Sequence, residues 1–421
     1  MAKWKKVPII MIIIFSFLLT NIGCNKKTNL SEKEKNLNMY VDIKDKHTLD
    51  ILKYLVDEYK KEKPKAKVNI NSVLGNSSSV IDEVKKGNQV DLILTTRNKM
   101  IDLTKKGLLN DLGNIYEKDK INDKYFNVVK AYGRYQDKYY GIGLMPYVIE
   151  VLYNKDALNK QGLTVPTKIS DISFILKKMN SSSTKVPVIL TDDIDINNGV
   201  MSILVNNIIK NNTLESIYNR NDTSYKEVKQ MQQAFDEINS LYKTGIITKN
   251  SFELGNENRI ESFKKGDFPL LVCISYYANQ LNTKNIGVIE DYTISKNLKE
   301  NIPIIVNGIF CTPTNSKNSE EVNDFLKFVY SDDTQNKIVK KGFIPGNMKS
   351  VENLAITDKD APNVVGATVR MLSTSSDDSI LFVYNIPENM KADISSKINN
   401  ILEGKYTGKE WSDVASTASG T

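Results

Sequence analysis

An α/β fold built on mostly parallel sheets is what this sequence predicts, and three observations carry that reading. Apolar strand-like runs alternate with stretches of helical spacing, which implies helices covering the faces of a sheet. One run, Val90-Asp91-Leu92-Ile93-Leu94, is apolar almost throughout, as a strand buried on both faces must be. The strand–helix pattern then starts afresh near Val148. With 421 residues the chain is longer than the roughly 250–300 at which one core stops growing, so two or three domain-sized units are expected.

The elements follow in order. Leu37–Ile43 alternates apolar and polar residues and predicts a first strand. Leu49, Leu52, Leu55, Val56 and Tyr59 recur at helical spacing, and Pro64 closes that helix. Lys67–Val73 alternates again, as a strand with one covered face does, and after Val90–Leu94 a short helix ends at Gly107. In the second unit, Val148–Tyr153 and Val186–Leu190 are strands, while Ile172, Ile175, Leu176 and Met179 form a helical stripe. Helices are expected over Val200–Ile209 and Glu227–Tyr242, and strands over Leu270–Ser275 and Ile302–Phe310. Val322–Tyr330, Met390–Leu402 and the surroundings of Trp411 read as helices.

The N-terminus is of a different kind. Lys3, Lys5 and Lys6 precede an apolar run from Val7 to Leu19. That run is shorter than the about 20 residues a membrane-spanning helix needs. A basic start before a short apolar stretch reads as a secretory signal, assigned to residues 1–23. Asn21-Ile22-Gly23-Cys24 resembles a lipobox, which makes Cys24 the expected lipidated residue, although Asn21 stands where Leu is usual. Residues 24–36 are polar, Lys-rich and aperiodic, and read as a flexible tether. The formal charge of +7 includes the three lysines of the signal, and the remaining lysines are interleaved with acids. That pattern excludes the concentrated basic face of a nucleic-acid binder. Cys273 and Cys311 lie in apolar runs and read as buried free thiols.

Several segments, in order, resemble the maltose-binding type of bacterial extracellular solute-binding protein (family 1). Val90-Asp91-Leu92-Ile93 is similar to its buried strand, and Gly107-Leu108-Leu109-Asn110-Asp111-Leu112 to its glycine–leucine turn. Tyr139-Tyr140-Gly141-Ile142-Gly143 resembles the entry to the first hinge, with Gly143 in place of proline. Leu152-Tyr153-Asn154-Lys155-Asp156, Gln161-Gly162-Leu163 with Pro166-Thr167, and Phe263-Lys264-Lys265-Gly266 match further junctions. Ser316-Lys317-Asn318-Ser319-Glu320 and Gly342-Phe343-Ile344-Pro345 complete the series, whereas Lys168-Ile169 departs from the usual Thr-Trp. The resemblance implies a periplasmic-binding-protein fold: two discontinuous α/β lobes joined by crossing hinge strands, with ligand in the cleft. By that analogy 37–143 with 307–342 form one lobe, and 144–306 with 343–421 the other. It implies a monomeric, lipid-anchored receptor on the extracellular face of the membrane, which takes a small molecule, a sugar above all, to the permease subunits of an ABC importer. No cofactor and no metal is expected. A sensing or adhesive surface lipoprotein of the same fold is the alternative, and a cleft hydrolase a more distant one.

Candidate ligand-binding residues follow from position and chemistry. Thr96 and Arg97 open from the end of the Val90–Leu94 strand, and Arg offers a fork of donors. Tyr277 falls where the family often stacks an aromatic ring on a sugar face, with Tyr276 beside it. Tyr147 sits at the first crossing and Asn307 on the second, where Gly308 permits close approach. Asp42 ends the first strand, and Asp192 opens an acidic stretch that reads as a helix cap more readily than as a calcium loop. His47, the sole histidine, reads as a capping or surface residue. No nucleophile triad, cysteine–histidine metal set or phosphate loop is present in the sequence, so an enzyme reading has no motif behind it.

Overall fold

The computed structural model describes residues 35–72, 79–87, 89–294, 301–354 and 364–418. The signal segment, Cys24 and most of the expected tether lie outside the described residues, and the first strand begins inside the tether's assigned span. Among the described residues there are thirteen strands: β1 (Lys35–Val41), β2 (Ala66–Ser72), β3 (Leu92–Thr95), β4 (Arg134–Tyr135), β5 (Lys138–Tyr139), β6 (Ile142–Gly143) and β7 (Pro146–Asn154), then β8 (Val186–Ile189), β9 (Phe252–Leu254), β10 (Leu270–Ile274), β11 (Ile286–Val288), β12 (Ile304–Val306) and β13 (Ile309–Cys311). They form two main sheets, β2-β1-β3-β13-β6 and β11-β7-β10-β8-β9, with β12 paired to β7, plus the small β4–β5 hairpin.

In the first lobe β1 lies parallel to both β2 and β3, with Met39 opposite Leu92 and Val41 opposite Leu94. Every residue of β3 is buried, as its apolar run requires. Asp91, at its entrance, is buried without strain because Asn38 gives it a backbone N–H at 3.0 Å and a side-chain amide at 2.8 Å. The helix Lys46–Glu62 covers this sheet. Asp45 caps it by accepting from the Thr48 N–H, and Ile51, Leu52, Leu55, Val56 and Tyr59 form its buried stripe. Tyr59 packs against Phe325 and Phe328 of the helix Ser319–Val329, which brings that late segment back to the first lobe.

The second lobe surrounds β7. It pairs with β10 on one side and with β11 and β12 on the other, and β10 continues parallel into β8 and β9. Late helices close it. Arg370 of the helix Val364–Ser373 holds Glu290 through two bonds of 2.8 and 2.6 Å, and Lys391 of the helix Glu388–Leu402 gives its carbonyl to Asn198 at 3.0 Å.

Among the described residues, two chain crossings run side by side between the lobes. The sequence reads Ile302–Phe310 as one strand, but β12 belongs to the second sheet and β13 to the first. Asn307-Gly308 breaks the run between them. Gly308 sits at φ +86, and a Cβ there would meet Leu94 at 2.9 Å, so glycine is needed on both counts. The other crossing, Gly143–Pro146, runs antiparallel to it, with Ile309 opposite Gly143 and Val306 opposite Pro146. A Cβ on Gly143 would lie 2.6 Å from Val306, so this departure from the family's proline lets the two crossings touch. Where the resemblance implies a third crossing, near Gly342–Asn347, the chain touches both lobes: Phe343 packs on Tyr276 of the second, while Gly346 accepts from the Phe126 N–H at 3.1 Å and Asn347 bridges to Tyr125 on the first. Cys273 and Cys311 are both free and buried.

Candidate functional site

A cavity of about 300 Å³ lies between the lobes. The first lobe supplies the turn after β1 (Asp42, Ile43, Lys44, Asp45) together with Thr96 and Lys99, which follow β3. From the second lobe come Asp192 and Asp193 on the turn after β8, and Tyr384 and Glu388 from the C-terminal segment. Val306, Asn307 and Gly308 of the crossing form its floor. The cavity therefore sits beyond the carboxyl ends of β1, β3 and β8, where open α/β sheets place ligands.

Asp45 is the hub of the floor. Its Oδ2 accepts from the Thr48 N–H (2.7 Å), the Thr48 hydroxyl (2.8 Å) and the Asn307 amide (2.7 Å). Its Oδ1 lies 3.1 Å from His47 Nδ1 and accepts from the Asp192 N–H at 3.4 Å. Burial pushes this carboxyl up, but the donors, His47 first among them, outweigh burial and hold it at about 2. One carboxylate thus contacts the first lobe, the crossing and the second lobe. Asp42 behaves differently. Burial raises its pKa, Lys99 and the Thr95 hydroxyl oppose that, and its only hydrogen-bond donor among the described side chains is that hydroxyl at 3.3 Å.

The structure places the sequence-derived candidates in three groups. Asp42, Thr96, Asp192 and Asn307 line the cavity together. Tyr147, Tyr276 and Tyr277 form an aromatic group behind it. Tyr276 contacts Tyr147 edge-on at 6.0 Å and Phe343 at 5.0 Å, and Tyr147 is 2% exposed. Tyr277 is corrected from its expected role as an open stacking platform. It is 3% exposed, and its hydroxyl lies 2.7 Å from His47 Nε2, so the ring is packing and the polar end is taken. Arg97 is corrected as well. Although adjacent to Thr96 it is 1% exposed and turned away, donating to the carbonyls of Ala131, Tyr132 and Arg134, to Asn385, and to Glu215 at 2.7 Å. Every guanidinium nitrogen is engaged and the group is buried away from the cavity, so it does not present itself to a ligand there.

Lys44, Asp45, Lys99, Asp193, Tyr384 and Glu388 line the cavity without having been singled out from the sequence. Asp45 carried a readable signal, the Asp-x-x-Thr of a helix cap. Tyr384, whose hydroxyl donates to Asp193 at 2.7 Å, carried none, because only the tertiary fold brings residue 384 beside residue 193. His47, expected at a cap or on the surface, is instead buried between Asp45 and Tyr277. Asp195, from the acidic stretch, caps the helix Ile196–Ile208 by accepting from the Asn198 N–H.

Comparison with known proteins agrees with this geometry. The structure resembles a chitin oligosaccharide binding protein (TM-score 0.66, 16% identity, 91% of this chain and 98% of that one). It also resembles an ABC substrate-binding protein from Listeria monocytogenes in complex with cycloalternan (TM-score 0.64, 16% identity, 91% and 98%). A third neighbour is a probable secreted solute-binding lipoprotein from Streptomyces coelicolor (TM-score 0.65, 14% identity, 92% and 99%). At these identities the likeness establishes the two-lobed fold. Compared by sequence with curated proteins, the chain has no match. The family model for bacterial extracellular solute-binding proteins matches residues 54–363, and the chain belongs to that family.

Proposed function

We propose that this protein is a lipid-anchored receptor that captures a carbohydrate in the cavity between its lobes and hands it to an ABC importer. The observation that carries the reading is the cavity itself. It lies between two lobes joined by paired crossings, is lined by hydrogen-bonding groups from both lobes, and has Asn307 of the crossing in its floor. The neighbouring structures of chitin oligosaccharide and cycloalternan receptors support a saccharide as the ligand class. Anchoring through Cys24 is supported by the apolar run that ends at Gly23-Cys24 and by the lipoprotein from Streptomyces coelicolor. A thermal-shift screen of mono-, di- and oligosaccharides, with amino acids as controls, tests the ligand class, because a ligand that binds only the folded state raises its melting temperature. Stabilisation by amino acids alone would contradict it. Membrane fractionation of cells expressing Cys24→Ala tests the anchor, and a variant that stays with the membrane as the parent does would refute it.

One observation favours a hydrolase as the second reading: the cleft holds two carboxyls, Asp42 and Asp45, whose pKa values are pushed apart. Five contacts already occupy the oxygens of Asp45, however, which leaves it poorly placed to activate a water or attack a sugar. Release of reducing ends from oligosaccharides, abolished by Asp42→Asn, would establish hydrolysis and overturn the receptor reading.

A further inference from the structure

We propose that the saccharide taken by this cavity carries a free, protonated amine. This rests on the carbohydrate reading above and narrows it to basic sugars. The argument begins with the distribution of charge. Among the described residues, every charged group that the second lobe presents to the cavity, Asp192, Asp193 and Glu388, is an acid. The opposing wall offers Asp42 and Asp45 with Lys44 and Lys99, so the described lining holds five carboxylates against two ammonium groups. These acids are not equivalent. Asp45 is consumed by the scaffold, Asp193 accepts from Tyr384, and Glu388 pairs with Lys391 at 2.9 Å. Asp192 and Asp42 remain. The Asp192 carboxylate has no hydrogen-bond or ion-pair partner among the described residues, and Asp42 has only the long bond from Thr95.

Lys99 and Lys44 already oppose the charge of Asp42, so Asp192 is the carboxylate left to compensate. Closing the lobes on a neutral sugar would strip water from Asp192 without supplying a counter-charge, and uncompensated buried charge is costly. An ammonium group on the ligand supplies that counter-charge where the charged groups lining the second lobe's wall, among the described residues, are acids. Neutral partners for sugar hydroxyls are also in place. Thr96 lines the cavity with its hydroxyl oxygen buried and without a partner, and Asn307 stands in the floor. A flat aromatic platform is missing. Tyr384 is the one aromatic residue in the lining among the described residues, its hydroxyl is committed to Asp193, and Lys391 Nζ lies 5.2 Å from its ring. Discrimination therefore falls to charge rather than stacking. At about 300 Å³ the cavity is at the small end of ligand sites, which suits one or two sugar rings.

Calorimetric titration of the folded protein with glucosamine and its β-1,4-linked dimer, against their N-acetylated counterparts and glucose, tests this directly. The acetyl group removes the charge while keeping the ring. The free amines are expected to bind at least tenfold more tightly, and added salt is expected to weaken them while leaving neutral sugars unaffected. Asp192→Asn, on an exposed turn, is expected to erase most of that preference with an unchanged melting temperature. Equal or tighter binding of the N-acetylated or neutral sugars would overturn the amine inference and leave the carbohydrate reading standing. Binding of spermidine or putrescine with no saccharide would overturn both. Binding by none of these probes would overturn the amine inference, and the separate thermal-shift screen would then decide the carbohydrate reading.

Discussion

Two sets of contacts cross from one lobe to the other, and they are built on different principles. Around Arg97 a fully buried guanidinium is held by three carbonyls of the first lobe and reaches across to Asn385 and Glu215. Its neighbour Asn98 reinforces this by donating to the carbonyls of Val383 and Ile386, at 3.2 and 2.6 Å. Around His47 the bonds are fewer and simpler: one from its ring to Tyr277, one long bond between Asp45 and the Asp192 N–H, and an exposed pair between Lys46 and Glu257 at 3.0 Å. A buried charge that loses its partners is expensive, whereas Asp45 keeps its donors from Thr48 and Asn307 if the lobes part, and a single hydrogen bond or an exposed ion pair is readily exchanged for water. The Arg97 side therefore reads as the fixed part of the inter-lobe contact and the His47 side as the part that can part and re-form.

The largest effect should come from breaking the fixed side. Arg97→Ala leaves Glu215 and several carbonyls without a donor. It should cost about 3–5 kcal/mol in ligand-free chemical unfolding. Arg97→Lys should recover little of that, because an ammonium cannot reproduce the planar fork. A loss below 1 kcal/mol would erase the contrast between the two sides.

Asp45 comes next. Its carboxyl is held at about 2 against an ordinary 3.8, so the ionised form is favoured in the folded state. For a depressed carboxyl the stabilisation is full above the unfolded value and is lost as pH falls through the folded one. Asp45→Asn should accordingly cost about 2 kcal/mol at pH 7 and progressively less between pH 4 and pH 2. A pH-independent cost would mean that shape rather than charge is what matters there.

Tyr277→Phe removes the hydroxyl from His47 and keeps the ring. The expected loss is about 1 kcal/mol, together with a larger radius of gyration without ligand by small-angle scattering. An unchanged profile would show that this bond does not hold the lobes together. Lys46→Ala should have the smallest effect, with no measurable change in melting temperature, because both partners are exposed.

Sequence and structure agree where the pattern is local. β3 was legible because a strand buried on both faces has to be apolar throughout, and the helix Lys46–Glu62 because its stripe and its stop at Pro64 are written in consecutive residues. Asp42, Thr96, Asp192 and Asn307 were legible because they sit at strand ends or on a crossing, positions that the fold class itself ties to ligands. The failures share one cause. Arg97 and Tyr277 both follow strand ends, yet their side-chain direction depends on partners more than a hundred residues away, Glu215 for one and His47 for the other. Tyr384 and Glu388 were invisible for the same reason. The single strand expected over Ile302–Phe310 split because Gly308 adopts a left-handed backbone, a property that apolar spacing does not report.

The central claim is that ligand is held between the lobes, and hydrogen–deuterium exchange with and without a bound saccharide tests it most directly. The account predicts ligand-dependent protection at Asp42–Asp45, Thr96–Lys99, Asp192–Asp193, Val306–Gly308 and Tyr384–Glu388 together. A second cavity, of about 180 Å³ and lined by Ile172, Leu176, Leu204 and Leu241 within the second lobe alone, provides the internal control. Protection confined to that second cavity, with the first set unchanged, would contradict the account.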